Sequence, residues 1–199
     1  MIGGVILAAG EGSRFGGAKQ LALFRGRPLI EHALAAATAV PAIERVVVVL
    51  GADADRVRAE ANLDGAEIVL AEDWREGIAA SLRAGIGALA EAEAALVLLA
   101  DQPLITPQAI AAVVDRIDSP RPAARAVFGD EPGHPVLIKR ELFGSVARLR
   151  GDSGARELLE AVGVARVECQ HLASAEDVDT PADLVAIGRG AQASTALRG

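Results

Sequence analysis

Three short apolar runs constrain the fold most: "GGVILAA" from Gly3, "RVVVVL" from Arg45 and "AALVLLA" from Ala94. Each is continuous rather than alternating. A strand with one wet face alternates apolar and polar residues, whereas a strand covered on both faces does not. The stretches between these runs carry helical spacing. Buried strands alternating with helices mean an α/β sheet, mostly parallel, with helices on both faces. The expected strands are 4–8, 45–50, 67–70, 95–100, 124–128, 135–138 and 165–169. The expected helices are 28–39, 54–61, 77–91, 107–117, 140–149, 154–161 and 181–188. Pro28, Pro107 and Pro181 fit first helical positions, and Thr106 and Thr180 precede two of them as caps. Residues 124–138 break the alternation. Two strands around "GDEPGH" read as a small β excursion with an antiparallel member.

The 199 residues favour one domain, expected over 1–190, with a small, polar tail at 191–199 expected to fray. Tyr is absent and aromatics are 3%, so Ala, Leu, Val and Ile must build the core. One cysteine, Cys169, excludes an internal disulfide framework and a multi-cysteine zinc site, and fits a reducing cytoplasm. No run reaches the ~20 residues that cross a bilayer, and the N-terminus lacks a signal-peptide pattern, so no membrane partner is expected. A net charge of −7 argues against a nucleic-acid polymer as partner. It leaves room for a small anionic ligand, which feels local charge.

In open α/β sheets ligands bind beyond the carboxyl ends of the strands. Three chemically loaded segments fall there: 10–19, 101–103 and 177–180. The first belongs to "LAAGEGSRFGGAKQL", Leu7 to Leu21. Glycines let backbone amides turn toward an anion, and a lysine adds mobile charge. A dinucleotide fingerprint needs a third glycine where Phe15 stands and an acid where Gly51 stands. A P-loop needs lysine directly after glycine, then a hydroxyl for Mg²⁺, but Ala18 intervenes and Gln20 follows Lys19. Both schemes fail at specific residues. Two readings stay open: a glycine-rich surface turn, against which Arg14 and Lys19 beside so many glycines argue, and a loop that holds a nucleoside triphosphate for nucleotidyl transfer, which the resemblance given below implies. In that reading the amides of Gly10–Ser13 and Arg14 hold the terminal phosphates, and Lys19 reaches the α/β region.

Asp101 ends an apolar strand in "LVLLADQP", where a lone carboxylate is costly unless paired or metal-bound. Thr106 already fits as cap of the next helix, which frees Asp101 for a hard cation such as Mg²⁺. Asp177 and Asp179 are both candidates for a second ligand, and Asp183 suits a helix N-terminus. A phosphate monoester acceptor needs no general base, because its second pKa of ~6 leaves it largely dianionic at neutral pH. His134 is assigned to lining an acceptor site or holding the β excursion rather than to a base, His32 to structure, and His171 and Cys169 to no chemistry.

The stretch "LAAGEGSRFGGAKQL" resembles the signature loop of the molybdenum cofactor cytidylyltransferase family, within the wider NTP transferases. "WREGIAASLRAG", "LADQPLIT", "GHPVLIKRELF", "GDSGAR" and "DVDTPADL" resemble further family blocks in the family's order. Ala18 departs from the proline that many relatives carry before the lysine, and "GIAAS" lacks their methionine and extra serines. The resemblance implies a glycosyltransferase-A-like nucleotidyltransferase fold in three αβα layers. It implies Arg14, Lys19 and Asp101 as catalytic residues, with Asp101 and Asp179 holding Mg²⁺. It implies Leu7, Ala8, Ala9, Gly10, Gly12, Ser13, Gly77 and Ser81 as nucleotide contacts. "LAAG" and "DQP" imply CTP, with molybdopterin as acceptor and a molybdenum enzyme as possible partner. Guanylyl transfer, transfer to a sugar phosphate, and a non-catalytic accessory protein that carries cofactor to a molybdenum hydroxylase stay open as alternatives.

Overall fold

A computed structural model describes residues 1–152 and 154–196. The order along the chain is β1 (Ile2–Ala8), β2 (Leu23–Phe24), β3 (Arg27–Pro28), α1 (Leu29–Thr38), β4 (Ile43–Leu50), α2 (Ala54–Glu60), β5 (Ala66–Leu70), α3 (Ile78–Ala88), β6 (Ala94–Leu99) and α4 (Pro107–Val114). Then follow β7 (Ala123–Phe128), β8 (Glu131–Lys139), α5 (Phe143–Val146), α6 (Gly154–Val162), β9 (Ala165–Glu168) and α7 (Pro181–Ala196).

Seven strands make one sheet in the order β5-β4-β1-β6-β8-β7-β9. Strand β1 lies at its heart, parallel to β4 on one side and to β6 on the other. All seven of its residues are buried, as its unbroken apolar run requires. Even residues Ile2, Ile6 and Ala8 pack with α1, α2 and α4; odd residues Val5 and Leu7 pack with α3, α5 and α6. The sheet is thus covered on both faces by aliphatic helices, in three layers. Ile6, Leu96 and Leu98 are almost wholly buried, and each such side chain contributes about 1.5–3 kcal/mol relative to exposure. Among the described residues, no helix is long and apolar enough to cross a membrane.

The expected excursion is part of the main sheet. Strand β8 hydrogen-bonds antiparallel to both β6 and β7, and β7 pairs parallel with β9. The reversal follows from the tight connection of Phe128 to Glu131, which leaves no room for a crossover helix. Pro28 also differs from expectation. It pairs with Leu23 in a two-residue hairpin and precedes the helix, while the Leu29 amide donates to Ala22 O at 3.0 Å. Proline has no N–H to give a ladder, so a minimal edge strand suits it. Pro107 does open α4, where Thr106 Oγ1 accepts from the Ala109 amide at 3.2 Å. The tail expected to fray is helical as far as Ala196, consistent with its alanines, and 197–199 lie outside the described residues.

Candidate active site

Strands β1 and β6 end side by side, with Leu7 opposite Leu99. Their exits therefore place Ala8–Gly10 and Asp101 at one sheet edge. The loop that leaves β1 winds around the Gly12 carbonyl, which accepts from the amides of Phe15, Gly16 and Gly17. Gly12 has φ +64°, and a Cβ there would lie 2.2 Å from Gly17 O, so only glycine fits. The buried side chain of Gln20 ties the far end of the loop back, donating from Nε2 to Ala8 O at 3.1 Å. That anchor brings Lys19 in over the strand ends.

Lys19 Nζ lies 2.5 Å from Asp101 Oδ2 and 2.9 Å from Asp179 Oδ1, and Arg14 Nη1 lies 2.9 Å from Asp179 Oδ2. The two carboxylates, remote in sequence, meet because the Val178 amide donates to the Asp101 carbonyl at 2.9 Å. Burial alone would lower the Lys19 pKa, but the carboxylates of Asp101 and Asp179 outweigh it and hold the ammonium above its ordinary value. The hydrogen bond from Lys19 in turn holds Asp179 below the usual carboxylate range.

The other acids of this segment have separate duties. Asp183 Oδ2 accepts from the amides of Asp179 and Thr180, and Thr180 Oγ1 accepts from the Asp183 amide. This reciprocal cap starts α7 and leaves the Asp179 side chain free for the site. Asp177 accepts from Gln102 Nε2 at 2.9 Å, and burial pushes its carboxyl up.

Asp101 Oδ1 is buried without a hydrogen-bond partner. A carboxylate oxygen in that state is costly and suits a hard cation. Among the described residues no group of three or more His, Cys, Asp or Glu side chains is placed to hold a metal. A divalent ion here would draw its remaining ligands from substrate phosphates and water, which is the usual habit of Mg²⁺.

A cavity of about 400 Å³ opens beside this cluster. Leu7, Ala8, Ala9, Gly10, Lys19, Gly77, Ser81 and Asp101 all line it. Its volume suits a nucleotide-sized ligand, since small-molecule cavities run from about 300 to 1,000 Å³. Gly12, Ser13 and Arg14 are not on its wall. They lie on the outer arm of the loop, and Arg14 reaches the site only through Asp179. Sequence reasoning missed Gln20, Trp74, Arg75 and Asp152, which also line the cavity. Arg75 stacks over the Trp74 ring at 4.4 Å. Asp152 Oδ1 accepts from the Ile78 amide at 2.9 Å and so caps α3 from across the chain. Gly77, at φ +112°, permits that approach, because a Cβ would lie 2.3 Å from the same Oδ1. The blocks "WREG" and "GDSGAR" carried these residues, but nothing local in them marked a shared wall.

His134 is not on the wall of the first cavity; it lines a second one with Gln102, Arg125 and Asp177. Burial first, then the nearby Arg125 cation, lowers its pKa to about 4. His32 Nε2 is 2.8 Å from Phe24 O and its ring meets Phe24 edge-on, the structural duty expected of it.

The MobA-like NTP transferase domain matches residues 4–169. The chain belongs to this family. The match covers the phosphate loop, Lys19, Asp101 and the Asp152 cap, and stops short of Asp179. A nicotine blue oxidoreductase of Paenarthrobacter nicotinovorans is 38% identical over 194 residues, 89% of this chain and 91% of that protein. A 2-C-methyl-D-erythritol 4-phosphate cytidylyltransferase of Cereibacter sphaeroides is 39% identical over 129 residues, 62% of this chain and 56% of that one. Rv0371c of Mycobacterium tuberculosis H37Rv superposes with a TM-score of 0.84 at 31% identity, covering 94% of this chain and 97% of its own. A second structure of Rv0371c is a complex with manganese, at TM-score 0.80 and 29% identity, covering 94% of this chain and 98% of its own. The fold is therefore that of the nucleotidyltransferases, as the sequence implied.

Proposed function

We propose that this member of the MobA-like nucleotidyltransferases moves CMP from CTP to the phosphate of a molybdopterin-type acceptor, releasing pyrophosphate, with Mg²⁺ as the working ion. One observation carries the reading: Lys19 is held between Asp101 and Asp179 at the mouth of a nucleotide-sized cavity, and one Asp101 oxygen is left without a partner. A lysine between two acids is poised to exchange them for phosphate when the triphosphate enters. The acceptor's phosphate oxygen bonds to the α-phosphorus as the bond to the leaving pyrophosphate breaks. Lys19 follows charge onto the α/β bridge, Arg14 meets the terminal phosphates, and the exposed amides of the loop donate to them. Trp74 and Ser81 face the base and ribose across the cavity. Asp101 and Asp179 would hold the divalent ion, whose chemistry is to neutralise phosphate charge. The manganese complex of Rv0371c supports a divalent ion, and the cytidylyltransferase relative supports CTP.

The test is pyrophosphate release from each NTP with Mg²⁺ and molybdenum cofactor. CTP should lead GTP and ATP, both in turnover and in calorimetric affinity, and chelator should abolish turnover. GTP ahead of CTP moves the chain to guanylyl transfer, and release with sugar phosphates alone replaces the acceptor. Nucleotide binding without release leaves an accessory role for a molybdenum hydroxylase.

The oxidoreductase named among the relatives favours a second reading, in which the same cavity holds a redox nucleotide. Hydride transfer has no use for two carboxylates clamped on a lysine, which is why it ranks second. Oxidation of NADH or NADPH by the purified chain with nicotine blue supplied as the hydride acceptor, without pyrophosphate release from any NTP, would establish it.

A further inference from the structure

The second cavity, about 340 Å³, shares Leu99 with the first and is also lined by Gln102, Arg125, Phe128, His134 and Asp177. Leu99 brings it to the α3 and α6 face of the sheet, while Phe128 closes it from the other layer. Ala124 and Ala126 pack into the opposite layer, which turns Arg125 toward the layer of α3 and α6; Val136 and Ile138 set the same direction for His134. Gln102 directly follows Asp101, and Asp177 stands two residues before Asp179, so this cavity adjoins the carboxylate pair.

Arg125 is the unexplained group there. Its Nε is buried with no partner, and its Nη2 donates a long bond to Gly133 O at 3.4 Å. No carboxylate forms an ion pair with it among the described residues. Its register partner on β9 is another cation, Arg166, while the nearby Arg156 is spent on Glu160. The acids of the cavity do not answer it: Glu131 is exposed and Asp177 is turned to Gln102. A half-buried guanidinium whose buried Nε has no partner is costly to keep, and its planar fork matches a phosphate or carboxylate. His134, neutral at pH 7, adds a ring N–H without adding charge.

We infer that Arg125 anchors an anionic group of the acceptor, a phosphate monoester or a carboxylate, in this second cavity. The inference rests on the transfer reaction proposed above, with the nucleotide in the first cavity and the acceptor in the second. It makes Arg125 a determinant of acceptor choice that is independent of the nucleotide.

The experiment titrates inorganic phosphate, and separately acetate, into the full chain with CTP and Mg²⁺ saturating. CTP affinity is measured on its own first. Whichever anion binds identifies the group, and Arg125→Met should weaken it by about tenfold or more, the usual weight of a charged hydrogen bond. Arg125→Lys, which keeps charge without the fork, should fall between. CTP affinity should stay within twofold in both variants. Arg125→Met should also melt no lower than wild type, because it deletes a half-buried charge that has no ion-pair partner among the described residues rather than a support. Binding of neither anion, equal binding by Arg125→Met, or parallel loss of CTP and anion each overturns the inference. A chain that fails to bind CTP yet loses phosphate with Arg125→Met keeps the anion site and sinks the transfer reading instead.

Discussion

Strands β5, β4, β1 and β6 form an all-parallel half of the sheet, while β8, β7 and β9 form a half that includes a reversed strand. The parallel half is apolar through its centre and delivers function only at its edge, by backbone and by Lys19, Gln20 and Asp101. The other half carries polar side chains within its strands, Arg125 and His134 among them. Every NTP presents the same triphosphate, so a glycine loop with two cations can serve it unchanged. Acceptors differ in shape and charge, and the acceptor site proposed above is built from side chains on strands that can vary without disturbing the loop. On the proposed reading, chemistry and acceptor choice are separated across Leu99, which lines both cavities.

The largest effects should fall at the carboxylates. Asp101→Asn and Asp179→Asn should each lower turnover by at least ~10²-fold, with Asp101 the more severe because its free oxygen is buried. The double variant should be little worse than either alone, since one shared ion is already lost. Kinetics across a Mg²⁺ titration check this. An Asp179→Asn enzyme with normal Mg²⁺ dependence would reduce Asp179 to a structural partner of Arg14 and Lys19.

Lys19→Ala should cost about 10²-fold in turnover while leaving anion binding at Arg125 untouched. Rates within threefold of wild type would remove Lys19 from the chemistry and erase the boundary between the halves.

Asp152→Ala tests a support of the parallel half. Losing the cap of α3 should cost about 1 kcal/mol of stability and a few-fold in nucleotide affinity, read by thermal melting and calorimetry. Unchanged melting would mean the Ile78 amide finds water instead.

The smallest effect concerns pH. His134 is held neutral in the fold, with its pKa lowered to about 4 from an ordinary 6.5. The unfolded chain therefore takes up a proton first, and the stability contributed by neutral His134 is whole above 6.5 and is lost between 6.5 and about 4. His134→Gln should flatten stability in that window. Asp179, held below 3.8, loses its share only at lower pH, as it protonates. Denaturant melts at several pH values separate the two, and an unflattened curve in His134→Gln would place the upper loss elsewhere.

Much of this protein was written in local pattern. The unbroken runs at 3–9, 45–50 and 94–100 required strands buried on both faces, because an apolar run has no wet side to offer. Gly12 and Lys19 pointed to an anion-binding loop and Asp101 to a cation ligand, because few other duties tolerate those residues at strand exits. Thr106 announced its helix for a similar reason. Tertiary structure alone decided three things. It threaded β8 between β6 and β7, since strand pairing depends on which edges remain open and not on the composition of either strand. It brought Asp179 to Asp101 through a single backbone bond from Val178, a contact with no sequence signature. It also left Arg125 without an ion pair among the described residues, which no pattern along the chain could reveal, because an ion pair is made by distance in space and distance in sequence does not report it.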